Sequence, residues 1–265
     1  MSRISHRRIS IAQANDDFER YLAAADEPFA GWDFSWLTRT ERMASEPLPW
    51  SYASEVLPYL WRARWMADLG TGGGEFLACL SPLPPTTYAT EGYPPNVAVA
   101  RARLEALGVQ VYETDETEAL PFADGALDLI IDRHESYRPE EVYRALRLGG
   151  HFITQQVGGA NEKAINDWLG IPFDVPWATW SLETAAQGLE SAGFAILTRR
   201  EATAPTRFYD IGAVVYYLKA IPWQIPDFSV ERYRDALLRL HERIQADGYL
   251  EMQSARFLIV ARKPE

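Results

Sequence analysis

Met66-Ala67-Asp68-Leu69-Gly70-Thr71-Gly72-Gly73-Gly74 decides how the rest of this chain is read. Apolar residues run into an acid, then into glycines, and helix-forming residues follow from Glu75. That order predicts a strand over residues 64–69, a glycine turn, and a short helix over 75–80. Glycines at the carboxyl end of a strand let a ligand approach the backbone closely. The same glycines also suit a plain tight turn, so the neighbours must decide. The dinucleotide fingerprint G-x-G-x-x-G needs glycine at position 75, where Glu75 stands, and the Gly-Lys-Ser/Thr of a P-loop is absent.

Working outward, apolar runs alternate with helical patterns as βαβ units do. Strands are expected over 87–90, 109–113, 127–132 and 151–156. Between them a helix over 97–107 has Asn96 as its cap and Gly108 as its stop, and Pro139 opens a helix over 140–146 that Gly149-Gly150 ends. A helix over 182–192, stopped by Gly193, precedes a strand over 194–198, and the last strand covers 257–261. Two helices, over 209–219 and 230–245, stand where a hairpin would suffice. The expected fold class is α/β: a Rossmann-like three-layer αβα sandwich with a mostly parallel seven-stranded sheet, plus helical N-terminal and C-terminal insertions. The expected organisation is an N-terminal helical cover over 1–62, then a binding domain over 63–265 with cover insertions near 158–180 and 203–250.

Composition narrows the partners. The chain of 265 residues is 47% hydrophobic and carries a formal net charge of −11, which opposes non-specific attraction to phosphate backbones. Nucleic acid is therefore disfavoured and a small-molecule partner favoured. A single cysteine, Cys79, and four histidines without ligand spacing argue against a metal site. No apolar leader or membrane-length stretch is present, so a cytoplasmic location is expected. The oligomeric state is open.

Acids mark three strand ends in succession. Asp68 would repel a pyrophosphate but suits a ligand carrying an ammonium and a sulfonium. Glu91 follows the second strand, where a carboxylate can accept from both hydroxyls of a ribose. Asp115-Glu116 follows the third, where an acid can accept from an adenine amino group. Each acid alone is as readily a turn or cap residue; the ordered set is what points to a ligand.

On these pieces the sequence resembles the class I S-adenosylmethionine-dependent methyltransferases. The matching stretches are 68–74, Glu91-Gly92, Asp115 with Leu120-Pro121-Phe122, Leu127-Asp128-Leu129-Ile130, and residues 143–150. Leu148 stands where the family usually has proline, a departure at a turn. The resemblance implies S-adenosylmethionine as cofactor, with Asp68, Gly70, Thr71 and Gly72 holding its methionine part. It implies Glu91 with Gly92 at the ribose, Asp115 at the adenine, a backbone N–H from Glu116, and the Arg133 backbone carbonyl at the amino end. The activity implied is methyl transfer to an unidentified acceptor. An RNA methyltransferase and a non-catalytic cofactor-binding regulator are the alternatives.

The cofactor already carries the activated group, so a base matters only for a protonated acceptor. The stretch just past the fourth strand supplies the catalytic candidates, His134 and Glu135. A histidine of ordinary pKa about 6.5 suits proton removal near neutrality, and Glu135 could orient it or act in its place. The competing reading, in which His134 packs beneath a lid or caps the following turn, is the favoured one from sequence. Gln155, Gln156 and Gly158 close the fifth strand on the same rim. All nine tryptophans fall outside 66–167; of these Trp36, Trp177 and Trp180 are the pocket candidates.

Overall fold

The computed structural model describes residues 11–29, 34–114 and 119–265. Its centre is one sheet in which β2 (Trp65–Leu69), β3 (Thr86–Glu91), β4 (Gln110–Glu113), β5 (Leu127–Arg133) and β6 (Leu146–Val157) are parallel. Continuing from β6, β8 (Leu250–Arg262), β7 (Ala195–Phe208) and β1 (Met43–Ser45) add antiparallel strands. The order is β1-β7-β8-β6-β5-β2-β3-β4. The Rossmann-like sandwich is as expected, with eight strands in place of seven. The extra strand is Met43–Ser45, paired with Thr206–Phe208; three residues carry too little alternation to be legible.

Alternating residues of the parallel strands serve two apolar layers. Met66, Leu129, Ile131 and Ile153 face α3 (Tyr52–Leu60), α4 (Glu75–Cys79) and α5 (Pro94–Leu104), which bury Val56, Leu60, Leu77 and Leu104. Ala67, Ile130 and Phe152 face α6 (Pro139–Ala145) and α8 (Leu182–Ser191), which bury Val142 and Leu189. Each such leucine or valine contributes about 1.5–3 kcal/mol. Their spacing places the sheet's carboxyl edge, and hence the glycine turn, at one rim.

A third core lies beyond that rim. α1 (Ile11–Leu22) and α2 (Ser35–Arg39) pack Phe18 and Leu37 together with α7 (Lys163–Leu169), α9 (Ile211–Ala220) and α10 (Arg234–Asp247). β7 and β8 stay paired from Ala195↔Arg262 to Phe208↔Leu250, so the ribbon outruns the sheet and carries α9 and α10 at its tip. Residues 203–208, expected in an insertion, are therefore strand.

Two local expectations change. The helix expected from 97 starts at Pro94 with Tyr93 in the capping position, because proline suits the first turn; Asn96 is buried within it instead. The helix before Gly149-Gly150 ends earlier, at Ala145, and both glycines lie inside β6, where its register against β5 shifts.

Candidate functional site

The glycine turn is built against β3. Gly70 and Gly72 both have φ of 60°, a conformation that favours glycine. The Thr71 N–H donates to the Thr90 carbonyl at 2.9 Å, and the Gly72 N–H donates to Glu91 Oε2 at 2.6 Å. The other Glu91 oxygen accepts the Tyr93 N–H at 2.8 Å. A Cβ on Gly70 would run into the Glu135 side chain, whereas one on Gly72 would meet nothing within 4 Å. The turn is thus closed on one side and open on the other.

Carboxylates crowd this rim. Asp68 is buried, and burial lifts its pKa to about 7; the neighbouring Thr71 and Arg133 pull it down and Glu91 pushes it up. The Thr71 hydroxyl nonetheless makes no hydrogen bond of normal geometry among the described residues, and it too is buried. Burial also raises Glu91, against the pull of the Tyr93 and Gly72 N–H groups. Asp132, at the end of β5, is fully buried. One of its oxygens accepts from Gln156 Nε2 at 2.9 Å and from the Glu135 N–H at 3.2 Å, and the other has no partner among the described residues. Its pKa stands well above the carboxylate range, first through burial, with Glu135 and Asp68 adding to the rise. The Tyr52 hydroxyl, 2.9 Å from the carbonyl oxygens of Asp132 and Ile153, ties β5 to β6 beneath this cluster. The Arg133 guanidinium sits 4.3 Å over the Phe76 ring. Four acids, Asp68, Glu91, Asp132 and Glu135, therefore gather at this part of the rim around Arg133, with Arg103 bonded to the Gly73 carbonyl on the far side of the turn, an arrangement that favours a cationic ligand.

His134 occupies the left-handed region at φ 72° and its N–H donates to the Gln155 carbonyl at 2.8 Å. Trp50 fixes its proton state. An indole only donates, and Trp50 Nε1 lies 2.8 Å from Gln155 Oε1, so the Gln155 amide nitrogen is the atom 3.1 Å from His134 Nε2. That nitrogen donates, so His134 Nε2 offers its lone pair and the neutral ring carries its proton on Nδ1. Although the residue is exposed overall, desolvation by the protein around the imidazole is the first cause that pushes its pKa down to about 3, followed by Arg256 and Arg133. Proton removal by His134 Nε2 would first require Gln155 to let go.

The structure brings Asp68, Gly70, Thr71, Gly72, Glu91, Arg133, His134 and Glu135 to one rim, with Gly92 following Glu91. Asp115 and Glu116 lie outside the described residues. Trp36 packs on Tyr216 with ring centroids 4.7 Å apart, inside the cover core rather than at the rim. Trp180 packs on Tyr137 and Phe257. Trp177, with Trp223, lines a separate cleft of about 410 Å³ where residues 171–177 meet 223–227. Sequence reading missed Trp50, Tyr52 and Asp132. Asp132 had a signal, an acid closing an apolar strand; the other two had none, since their partners lie about eighty residues or more away along the chain.

The parallel strands with the glycine turn at their carboxyl edge form a Rossmann-like α/β fold. Residues 67–154 match the family model for the methyltransferase domain, so the resemblance to the class I S-adenosylmethionine-dependent methyltransferases holds in sequence and in fold. Among solved structures, a proposed methyltransferase from Bacillus halodurans C-125 is 18% identical with a TM-score of 0.56, covering 80% of this chain and 100% of its own. A functionally unknown protein from Deinococcus radiodurans R1 is 16% identical, with a TM-score of 0.55 and coverage of 94% and 99%. The [4+2]-cyclase SpnF is 18% identical, with a TM-score of 0.51 and coverage of 80% and 79%. At these identities the likeness is one of fold. No curated protein matches the sequence. No helix among the described residues is long and apolar enough to cross a membrane.

Proposed function

We propose that this protein binds S-adenosylmethionine at the glycine rim and methylates a small-molecule acceptor placed beside His134. The observation that carries the reading is the cluster of buried carboxylates, Asp68, Glu91 and Asp132, around a glycine turn that is open at Gly72. Such a pocket disfavours phosphates and is relieved by a ligand bearing fixed positive charge. The buried, unpartnered Thr71 hydroxyl and the open side of Gly72 fit a ligand lying against the turn.

The cofactor supplies an activated methyl group. Asp68, with the backbone of Gly70, Thr71 and Gly72, holds its amino-acid end, helped by the Arg133 carbonyl. Glu91 and Gly92 take the ribose, Asp115 takes the adenine, and Glu116 adds an N–H. His134, neutral and held by Gln155, orients the acceptor as a hydrogen-bond donor. Glu135, against Gly70, is the group that takes a proton where the acceptor has one to lose. The remaining work is alignment, which the aromatic cover assists by excluding water.

Calorimetry with S-adenosylhomocysteine and with NAD, followed by mass spectrometry of a metabolite panel incubated with S-adenosylmethionine, tests this. Binding of the first ligand, none of the second, and a 14 Da (CH2) gain on one acceptor are expected. Tighter binding of NAD would overturn the reading. Cofactor binding without transfer to any acceptor would favour a non-methylating role, which the cyclase shows this fold can host.

A further inference from the structure

Arg256 occupies an unusual position on the acceptor side of the rim. In the β6–β8 pairing, Gln155 stands opposite Leu258 and Val157 opposite Arg256. Paired residues, and residues two apart on a strand, share a face. Arg256 is thus on the face of Gln155, one pair nearer the rim, and its charge is felt at the His134 ring. The guanidinium is half-buried and held from one side. Nη1 donates to Asn161 Oδ1 and to the Ala255 carbonyl, both at 2.8 Å, and the same Asn161 oxygen accepts the Ala255 N–H at 3.0 Å. Its Nε and Nη2 groups have no hydrogen-bond partner, and no ion pair forms with it, among the described residues. The neighbouring acid, Glu162, accepts from the Tyr217 hydroxyl and makes no contact ion pair with the guanidinium, although its charge acts on it.

A fixed cation with its Nε–Nη2 edge free presents two parallel donors, the fork that matches two oxygens of a carboxylate or phosphate. That edge is open to water rather than buried, so an anion can reach it. The adjacent His134 contributes no negative charge and no free base. We propose that Arg256 is the anion-binding residue of the acceptor pocket, so that the methyl acceptor carries a carboxylate or phosphate group. This rests on the methyltransferase reading above and names the substrate class of that site.

The test is calorimetry and thermal melting of the full chain saturated with S-adenosylhomocysteine, titrated with benzoate, phenylacetate, phenyl phosphate and neutral benzamide. The anions should bind and benzamide should not, with binding to Arg256→Met weaker by about 10-fold or more. Arg256→Lys, which keeps the charge but loses the fork, should weaken them less, and it serves where Arg256→Met does not fold. Preference for phenyl phosphate over the carboxylates, or the reverse, identifies the group while supporting the proposal. Equal binding of benzamide, undiminished binding to both variants, or no binding of any anion to a protein that does bind S-adenosylhomocysteine would overturn it. Failure of S-adenosylhomocysteine itself to bind strikes instead at the methyltransferase reading.

Discussion

The Glu91 carboxylate accepts the Gly72 N–H at 2.6 Å and, with its second oxygen, the Tyr93 N–H at 2.8 Å. One side chain therefore joins the glycine turn to the turn after β3, and a ligand meeting Glu91 meets a turn already in place. Pre-formed sites bind without spending ligand affinity on ordering the chain.

Replacing Glu91 should show both roles. Hydrogen bonds to a charged group are worth roughly 1.5–3 kcal/mol, so Glu91→Ala is expected to weaken S-adenosylhomocysteine binding by about 10- to 150-fold. The melting temperature should fall as well, because the Gly72 and Tyr93 N–H groups lose their acceptor. Lower stability with unchanged affinity would mean that Glu91 only braces the turn.

Asp68 predicts a pH dependence. Its pKa of about 7 in the folded protein lies above the ordinary value of 3.8. A ligand ammonium favours the ionised form, so affinity should rise from pH 6 to about pH 7 and level off above it, with proton release on binding at the lower pH. Calorimetry in buffers of different ionisation heat reads that proton. In Asp68→Asn the affinity should be lower and the slope gone; a slope that survives would assign it to another group.

Gly70 carries two constraints, positive φ and contact with Glu135. Left-handed backbone costs a non-glycine residue about 1–2 kcal/mol, so Gly70→Ala should lower stability by at least that amount. In the Glu135→Ala background the loss should shrink to the backbone part alone. Additive losses in denaturant titrations would show that the side-chain contact carries no energy.

His134 should remain neutral far below its ordinary range, since its folded pKa lies near 3. The unfolded chain takes up the proton first, so this group's contribution to stability is complete above about pH 6.5 and is lost as pH falls toward 3. Asp68 acts with the opposite sign: its contribution is complete below 3.8 and is lost as pH rises through 7. Nitrogen NMR of the imidazole should show the proton on Nδ1 at pH 6. In Trp50→Phe the Gln155 amide is no longer fixed, so the tautomer preference should relax while the low pKa stays; an unchanged tautomer would remove Trp50 from the relay.

The layered α/β fold could be read from the chain because it depends on local regularities. Strand–glycine–helix order, two-residue and 3.6-residue periodicity, and prolines at helix starts are recorded within a few residues of one another. The same reading placed Asp68, the glycine turn and Glu91 at strand ends, which are local features that the parallel sheet gathers at one edge. It erred where a neighbour elsewhere decided. Met43–Ser45 is a strand only because Thr206–Phe208 lies beside it, and the ribbon over 203–208 is extended only because residues 250–255 pair with it.

What the sequence by itself determined was a layered sheet with acids and glycines at one rim. The tertiary structure alone decided how the rim around His134 is wired: Trp50 to Gln155 to His134, and Asn161 to Arg256. Those partners come from four separate segments, and a hydrogen bond's direction, or a cation's freedom, depends on which atoms meet in space rather than on which residues are near in the chain.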